Sequence, residues 1–155
     1  MKIPFFNYPD VYKKYQKDFQ RILENVGNRG AFIMQDDLIY FENKIAKFSN
    51  CRYAIGVANA TDALEMLLKI ANIDKGNEVI ISTHTMIATA SAIASVGAIP
   101  VPIECGQDHL IDHRLIEEAI TSNTKVIMPT QLNGRTAKMD EICDIANKHE
   151  LVIIE

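Results

Sequence analysis

The sequence predicts an α/β fold in three layers, a largely parallel sheet covered by helices on both faces and preceded by a helical N-terminal segment. Two observations carry this reading. From Cys51 onward, short uninterrupted apolar runs alternate with stretches of helical periodicity, which is how strands buried on both faces read between their crossover helices. Before Cys51, apolar residues recur every three or four positions, the spacing of amphipathic helices. Residues 1–50 are therefore expected to form a helical segment and 51–155 an alternating strand and helix core. No repeat, low-complexity tract or linker rich in Pro, Gly or Ser divides them, so one compact unit is expected.

In chain order, Val11, Tyr15, Phe19, Ile22 and Val26 predict a first helix ending near Gly27, and Asn28 to Met34 reads as a loop. Leu38, Phe41, Ile45 and Phe48 predict a second helix, with Asp36 placed to cap it. The predicted strands are Tyr53 to Val57, Glu78 to Ile81, Ile99 to Ile103, Val126 to Met128 and Leu151 to Ile154. The helices between them are Asp62 to Asn72, Thr85 to Val96, His113 to Thr121 and Asp140 to His149, with Gly76 and Gly97 marking two exits. Leu151 to Ile154 reads as a central buried strand. Ligand groups in open α/β sheets lie just beyond the carboxyl ends of strands, so a functional residue is due directly after Glu155 and the chain is expected to continue there.

The bulk numbers narrow the function classes. A chain of 155 residues with 48% hydrophobic and 23% charged residues has a globular composition. A net charge of -4, and no basic cluster longer than Lys13-Lys14, offers nucleic acid no electrostatic footprint. Three cysteines, Cys51, Cys105 and Cys143, fit neither a disulfide framework nor a CxxC site. With no secretory signal in Met1 to Pro9, they point to the cytoplasm. The stretch Val79 to Ile103 lacks Asp, Glu, Lys and Arg and is long enough to cross a bilayer. It is also rich in Ser and Thr and broken by Gly97, Pro100 and Pro102, so strand, helix, strand accounts for it better than a membrane span.

Several segments could carry chemistry. Ala58 to Leu64 follows a predicted strand and opens a helix, with Thr61 as candidate N-cap. Its small residues would let backbone amides approach a phosphate at the positive end of the helix dipole, or it is a plain capped helix. It is neither a Walker A loop nor a GxGxxG fingerprint. Ser82 to Thr89 gathers hydroxyls and His84 at the ligand-bearing edge of the sheet, where Thr85 would serve as N-cap. His109 and His113 are spaced as two metal ligands on one helical face, against which Asp112 reads as a helix cap and Gln107 to Ile111 as a surface turn. His149 fits a helix C-terminus, answering its dipole. Gln131 to Arg135 follows a strand and either meets a ligand or uses Gly134 for a turn with positive φ.

Taken together, the segments follow a known order. Gly30 to Glu42 resembles G-x-(F/Y)-I-x-G-P-E-V-x-x-F-E, Asn59 to Leu64 resembles N-G-T-D-A-L, and Ser82 to Thr89 resembles P-S-x-T-(F/Y/W)-x-A-T. Val96 to Val101, Ile111 to Ile120 and Gln131 to Asp140 resemble V-G-A-x-P-V, I-D-x-x-x-(I/L)-E-x-A-I and (H/Q)-L-x-G-x-x-x-x-M-D. By order and spacing the chain resembles the DegT/DnrJ/EryC1/StrS family of sugar aminotransferases, which have the aspartate-aminotransferase (fold type I) architecture, and it corresponds to their N-terminal portion.

The resemblance implies a cofactor, pyridoxal 5'-phosphate (PLP), and an amino transfer from glutamate or glutamine to a keto-sugar nucleotide, in nucleotide-sugar and cell-surface polysaccharide biosynthesis. It implies that Ala60 and Thr61 hold the cofactor phosphate, that Met86 and Gln131 contact the cofactor, and that Ile33 and Thr85 meet the substrate. It also implies a homodimer. Met86 departs from the family, which has an aromatic ring stacked on the pyridine there; a thioether is a softer cover. Ala60 replaces the usual Gly, and Gln35-Asp36 replaces Gly-Pro.

In such enzymes an Asp pairing with the pyridinium nitrogen comes directly after the strand corresponding to Leu151 to Glu155, and the Schiff-base Lys comes much later. No catalytic residue is therefore expected within this chain, which alone should be inert. A dehydratase of the same family, with His in place of that Lys, and a non-catalytic binding or regulatory fragment remain the alternatives.

Overall fold

The computed structural model describes residues 3–155, and the chain packs not as the one compact unit expected but as two, Met1–Gly56 and Val57–Glu155. In the first, α1 spans Tyr8–Arg29 and α2 spans Asp36–Phe48. Asn7 caps α1 by accepting from the Asp10 amide, and Pro9 sits in the first turn, where its missing N–H costs nothing. The helix runs past Gly27 and takes up Asn28 and Arg29, expected as loop, because Gly30 supplies the left-handed C-cap at φ 62°. Asp36 is the first helical residue of α2 and not its cap; that position belongs to Gln35, while Asp36 and Asp37 favour the helix dipole. Gly56 donates its N–H to Glu42 Oε1 at 2.7 Å. A Cβ there would lie 2.8 Å from Leu38 Cδ1, so the approach requires glycine.

The second unit begins with α3 (Ala60–Ile70) and continues as β1 (Glu78–Ser82), α4 (Ile87–Ser95), β2 (Ile99–Ile103), α5 (Ile116–Ala119), β3 (Thr124–Met128), α6 (Met139–Lys148) and β4 (Val152–Ile153). The four strands form a parallel sheet in the order β2-β1-β3-β4. From β1 to β2 the chain steps one way across the sheet, and from β2 through β3 to β4 it steps the other way. Right-handed crossovers then place α4 on one face and α5 with α6 on the opposite one.

The side chains confirm the three layers. Val79, Ile81, Val126 and Met128 pack with Leu68 of α3 and with Ala92 and Ile93 of α4. Ile80, Ile103 and Ile127 point the other way and pack with Ile116 of α5 and with Ile142 and Ala146 of α6. Alternate residues of one strand thus feed two cores, which is why the runs read as continuously apolar. Pro100 and Pro102 are tolerated in β2 because it is an edge strand. The run Val79 to Ile103 is β1, α4 and β2, as expected, and no helix among the described residues is long and apolar enough to cross a membrane.

Four expectations need correction. Tyr53 to Val57 forms no strand: none of the described strands pairs with it, Tyr53 and Ile55 are exposed, and β-favouring residues make no ladder without a partner. β4 is short and lies at the edge of this four-stranded sheet, not at its centre. The helix expected over His113 to Thr121 is a 3-10 turn at His113–Leu115 followed by one turn of α5, and Ile120 is already extended. Helix α3 exits through Asn72 at φ 56°, while Gly76 at φ 93° turns the chain toward β1.

Asp112 caps the 3-10 turn as expected. Its carboxylate accepts from the Arg114 amide and, bidentately, from Arg114 Nε at 2.9 Å and Nη2 at 2.7 Å. His149 lies at the C-cap of α6 and pairs with Glu117 Oε1 at 2.8 Å.

Two outcomes are expected. Replacing Ile80 or Ile127, which face each other in register, by Ala should cost about 2–5 kcal/mol each in denaturant unfolding, with a non-additive double mutant. The second concerns Asp112, whose carboxyl is held down to about 2 by hydrogen bonding to the Arg114 guanidinium. A carboxyl with a lowered folded pKa contributes stability that is complete above its unfolded value, roughly 3.9, and is lost as pH falls toward the folded one. The thermal midpoint of Asp112→Asn should therefore fall less steeply than the parent's between these two values on acidification.

Candidate cofactor site at the carboxyl edge of the sheet

The winding reverses between β1 and β3, and in open α/β sheets such a switch point leaves a crevice beyond the strand ends. Here α3 closes one side of it. Asn59 is the N-cap of α3, with extended backbone. Its Oδ1 accepts from the Asp62 amide at 3.0 Å, and its Nδ2 donates to Asp62 Oδ2 at 3.0 Å. Thr61, expected as cap, is instead the second helical residue. The cap satisfies the third amide of the helix, and the Asn59 carbonyl takes the fourth, from Ala63. The amides of Ala60 and Thr61 are left without an acceptor among the described residues, as the first two of any helix are unless something outside it accepts.

Ala60, Ala63, Leu64 and Leu67, one face of α3, wall a cavity of about 290 Å³, closed on the other side by Met128, Pro129, Thr130 and Gln131 after β3. Thr89 and Glu155 complete the lining. Gln131 is pinned at both ends of its amide. Oε1 accepts from Ala137 N at 2.7 Å, while Nε2 donates to Glu155 Oε2 at 2.5 Å and approaches Met139 Sδ at 3.2 Å. This network sets which end of the amide is oxygen.

Thr85 is not the cap of α4. That position is taken by Met86, which makes no side-chain cap bond. Thr85 Oγ1 instead lies 2.8 Å from both Thr89 Oγ1 and Thr130 Oγ1, joining the loop after β1 to the loop after β3 across the switch point.

Of the six residues singled out for the cofactor and substrate, Ala60 and Gln131 line this one cavity, and Thr61 adjoins it at the helix start. Met86, 70% exposed, and Thr85 line a neighbouring cavity of about 270 Å³ over Ser82 and Pro102. Ile33 lies in the first unit, exposed, its carbonyl accepting from Gln35 Nε2. Thr130 is not among the residues singled out from the sequence, and Thr89 stands there only as the end of the hydroxyl-rich Ser82 to Thr89 segment. The signal for Thr89 was a hydroxyl four residues after Thr85 on an otherwise apolar helix; for Thr130 it was the residue just past the β3 strand end.

The histidine pair is not brought together on a helix. His109 sits in a turn at φ 65° with its ring edge-on to His84, while His113 opens the 3-10 turn. Among the described residues no cluster of three or more His, Cys, Asp or Glu could hold a metal. A separate cavity of about 490 Å³ lies between the Gly106 to Arg114 segment and Lys138. Its Arg114 is already spent on Asp112. Gly134 does adopt a positive φ, 73°, and shares the turn with Asn133 at φ 55°.

Residues 13–155 match the DegT/DnrJ/EryC1/StrS aminotransferase family. The chain belongs to this family. Among its relatives, the dTDP-3-amino-3,6-dideoxy-alpha-D-galactopyranose transaminase of Aneurinibacillus thermoaerophilus is 39% identical over 99% of this chain and 42% of its own length. The structure of DesV from S. venezuelae, in complex with a ketimine intermediate, superposes with a TM-score of 0.95 at 33% identity, covering 98% of this chain and 41% of that one. NtdA from Bacillus subtilis, solved with bound cofactor PMP, also gives a TM-score of 0.95, at 32% identity over 99% of this chain and 36% of that one. The chain thus spans about two fifths of the length of these relatives.

The family's cofactor type is compatible with the cavity. Two unpartnered amides at a helix N-terminus suit a phosphate, the α3 wall is apolar, and about 290 Å³ lies at the lower end of ligand pockets, roughly 300–1,000 Å³. The cap is what holds the helix end in place. Asn59→Ala should cost about 1 kcal/mol and speed hydrogen exchange at the Asp62 amide more than at core amides such as Ile127.

Proposed function

We propose that this chain is the front portion of a PLP-dependent aminotransferase that moves an amino group from glutamate or glutamine to a keto-sugar nucleotide. The observation that carries the reading is the pair of unpartnered amides, Ala60 and Thr61, at the mouth of the α3 cavity on the switch point of the sheet. Both amides, with the Thr61 hydroxyl and the helix dipole, hold the cofactor phosphate. Gln131, its amide fixed by Ala137 and Glu155, presents a polar edge to the ring. Met86, which lines the neighbouring cavity, would supply a thioether to the ring. Thr85 and Ile33 meet the substrate.

Bound PLP supplies an electron-withdrawing ring that stabilises negative charge on the carbon bearing the amine. The carboxylate that keeps its ring nitrogen protonated and the lysine that carries it belong to sequence beyond these residues. Both units, Met1–Gly56 and Val57–Glu155, are parts of one cofactor-binding large domain. The enzyme works in the cytoplasm as a homodimer, in nucleotide-sugar biosynthesis that feeds cell-surface polysaccharide. The transaminase name of the Aneurinibacillus relative favours amino transfer over dehydration.

The complete gene product, supplied with PLP, dTDP- or UDP-linked keto-sugars and either glutamate or glutamine, should release 2-oxoglutarate or 2-oxoglutaramate respectively. Absence of both products with every such sugar would sink the transfer reading. Ala60→Pro isolates the phosphate contact, because proline at the first helical position keeps the helix and removes one amide proton. It should weaken PLP affinity roughly tenfold to a hundredfold, the range for one hydrogen bond to a charged group, with the thermal midpoint of the cofactor-free protein unchanged.

A further inference from the structure

The hydroxyls of Thr89, Thr85 and Thr130 form a chain, each 2.8 Å from the next, with Thr85 in the middle. None of the three has another hydrogen-bond partner among the described residues. Each hydroxyl owns one proton, so the two bonds of the chain use two protons and one is left over. Thr89 is 6% exposed, and a buried hydroxyl proton without an acceptor costs about 1–3 kcal/mol. Thr85 is held between its two partners. Thr85 and Thr130 are both half-buried; Thr130 lines the α3 cavity, as the buried Thr89 does, and Thr85 lines the neighbouring one. An arrangement running Thr89 to Thr85 to Thr130 satisfies the buried end and lets the leftover proton leave from Thr130 into the cavity.

Among the described residues no protein group competes for it there. Gln131 Oε1 is taken by the Ala137 amide, and Glu155, the carboxylate of the lining, receives Gln131 Nε2 and makes no bond to Thr130. Hydrogen bonds in series polarise one another, so the terminal donor is stronger than an isolated threonine.

We propose that Thr130 is a further ligand-binding residue, donating its hydroxyl proton to an anionic oxygen of the cavity's occupant, with Thr85 and Thr89 as positioning residues behind it. The inference rests on the reading that this occupant is PLP or its amine form. It also assigns Thr85 a part besides substrate contact: it orients a donor in the neighbouring cavity.

The test is titration of the complete protein with pyridoxal 5'-phosphate and with pyridoxamine 5'-phosphate, followed by absorbance and fluorescence. Thr130→Val should bind both roughly tenfold to a hundredfold more weakly, and Thr130→Ser should restore binding. Thr89→Val, which releases the direction of the chain, should give an intermediate loss. Thr130→Ala serves where the valine variant does not fold. Binding by Thr130→Val or Thr130→Ala equal to that of the unsubstituted protein overturns this inference alone. Failure of the unsubstituted protein to bind either compound overturns it together with the cofactor reading.

Discussion

β1 is buried on both faces and hydrogen-bonded on both edges, to β2 and to β3, and the second unit is arranged around satisfying it. A backbone in that position has no water to bond, so each of its amides and carbonyls needs a ladder partner. Its side chains must meet apolar layers above and below. Flanking strands on both edges require the winding to reverse after β2, and the reversal opens the crevice beyond the strand ends. The cavity is thus a by-product of completing the ladder around one strand, and α3 needs only to lay its apolar face across it.

The crevice uses few polar groups, and each is oriented before any ligand arrives. The Ala60 and Thr61 amides are aimed by a helix whose start is held by Asn59 and Asp62. The Gln131 amide is fixed at both ends, and the threonine hydroxyls order one another. Orientation set in advance lowers the entropy lost on binding, and an apolar wall lets a small number of donors act strongly.

The parallel sheet and its crossover helices were legible because period and length identify elements buried on both sides: Val126 to Met128 lies within β3 and Ile99 to Ile103 coincides with β2. What escaped was set by partners that a linear pattern does not contain. Tyr53 to Val57 has strand composition but no neighbouring strand here. The cap of α3 lies at Asn59 and not Thr61, two plausible caps separated by two residues, and a bond to the Asp62 amide decides between them. The segment proposed to bind phosphate is visible as small residues after an apolar run. Thr130 is not, because its significance depends on Thr85, 45 residues earlier in the chain.

The two cores lie on opposite faces of the sheet. Val79, Ile81 and Met128 belong to one, Ile80 and Ile127 to the other, and close packing confines the effect of a volume change mainly to its own side. The layer containing α3 and α4 backs the cavity, while the layer of α5 and α6 holds the strands in register from behind. Mutational drift in the first can reshape what the crevice accepts without loosening the second, so a scaffold of this kind can diversify its ligand preferences while its architecture stays the same.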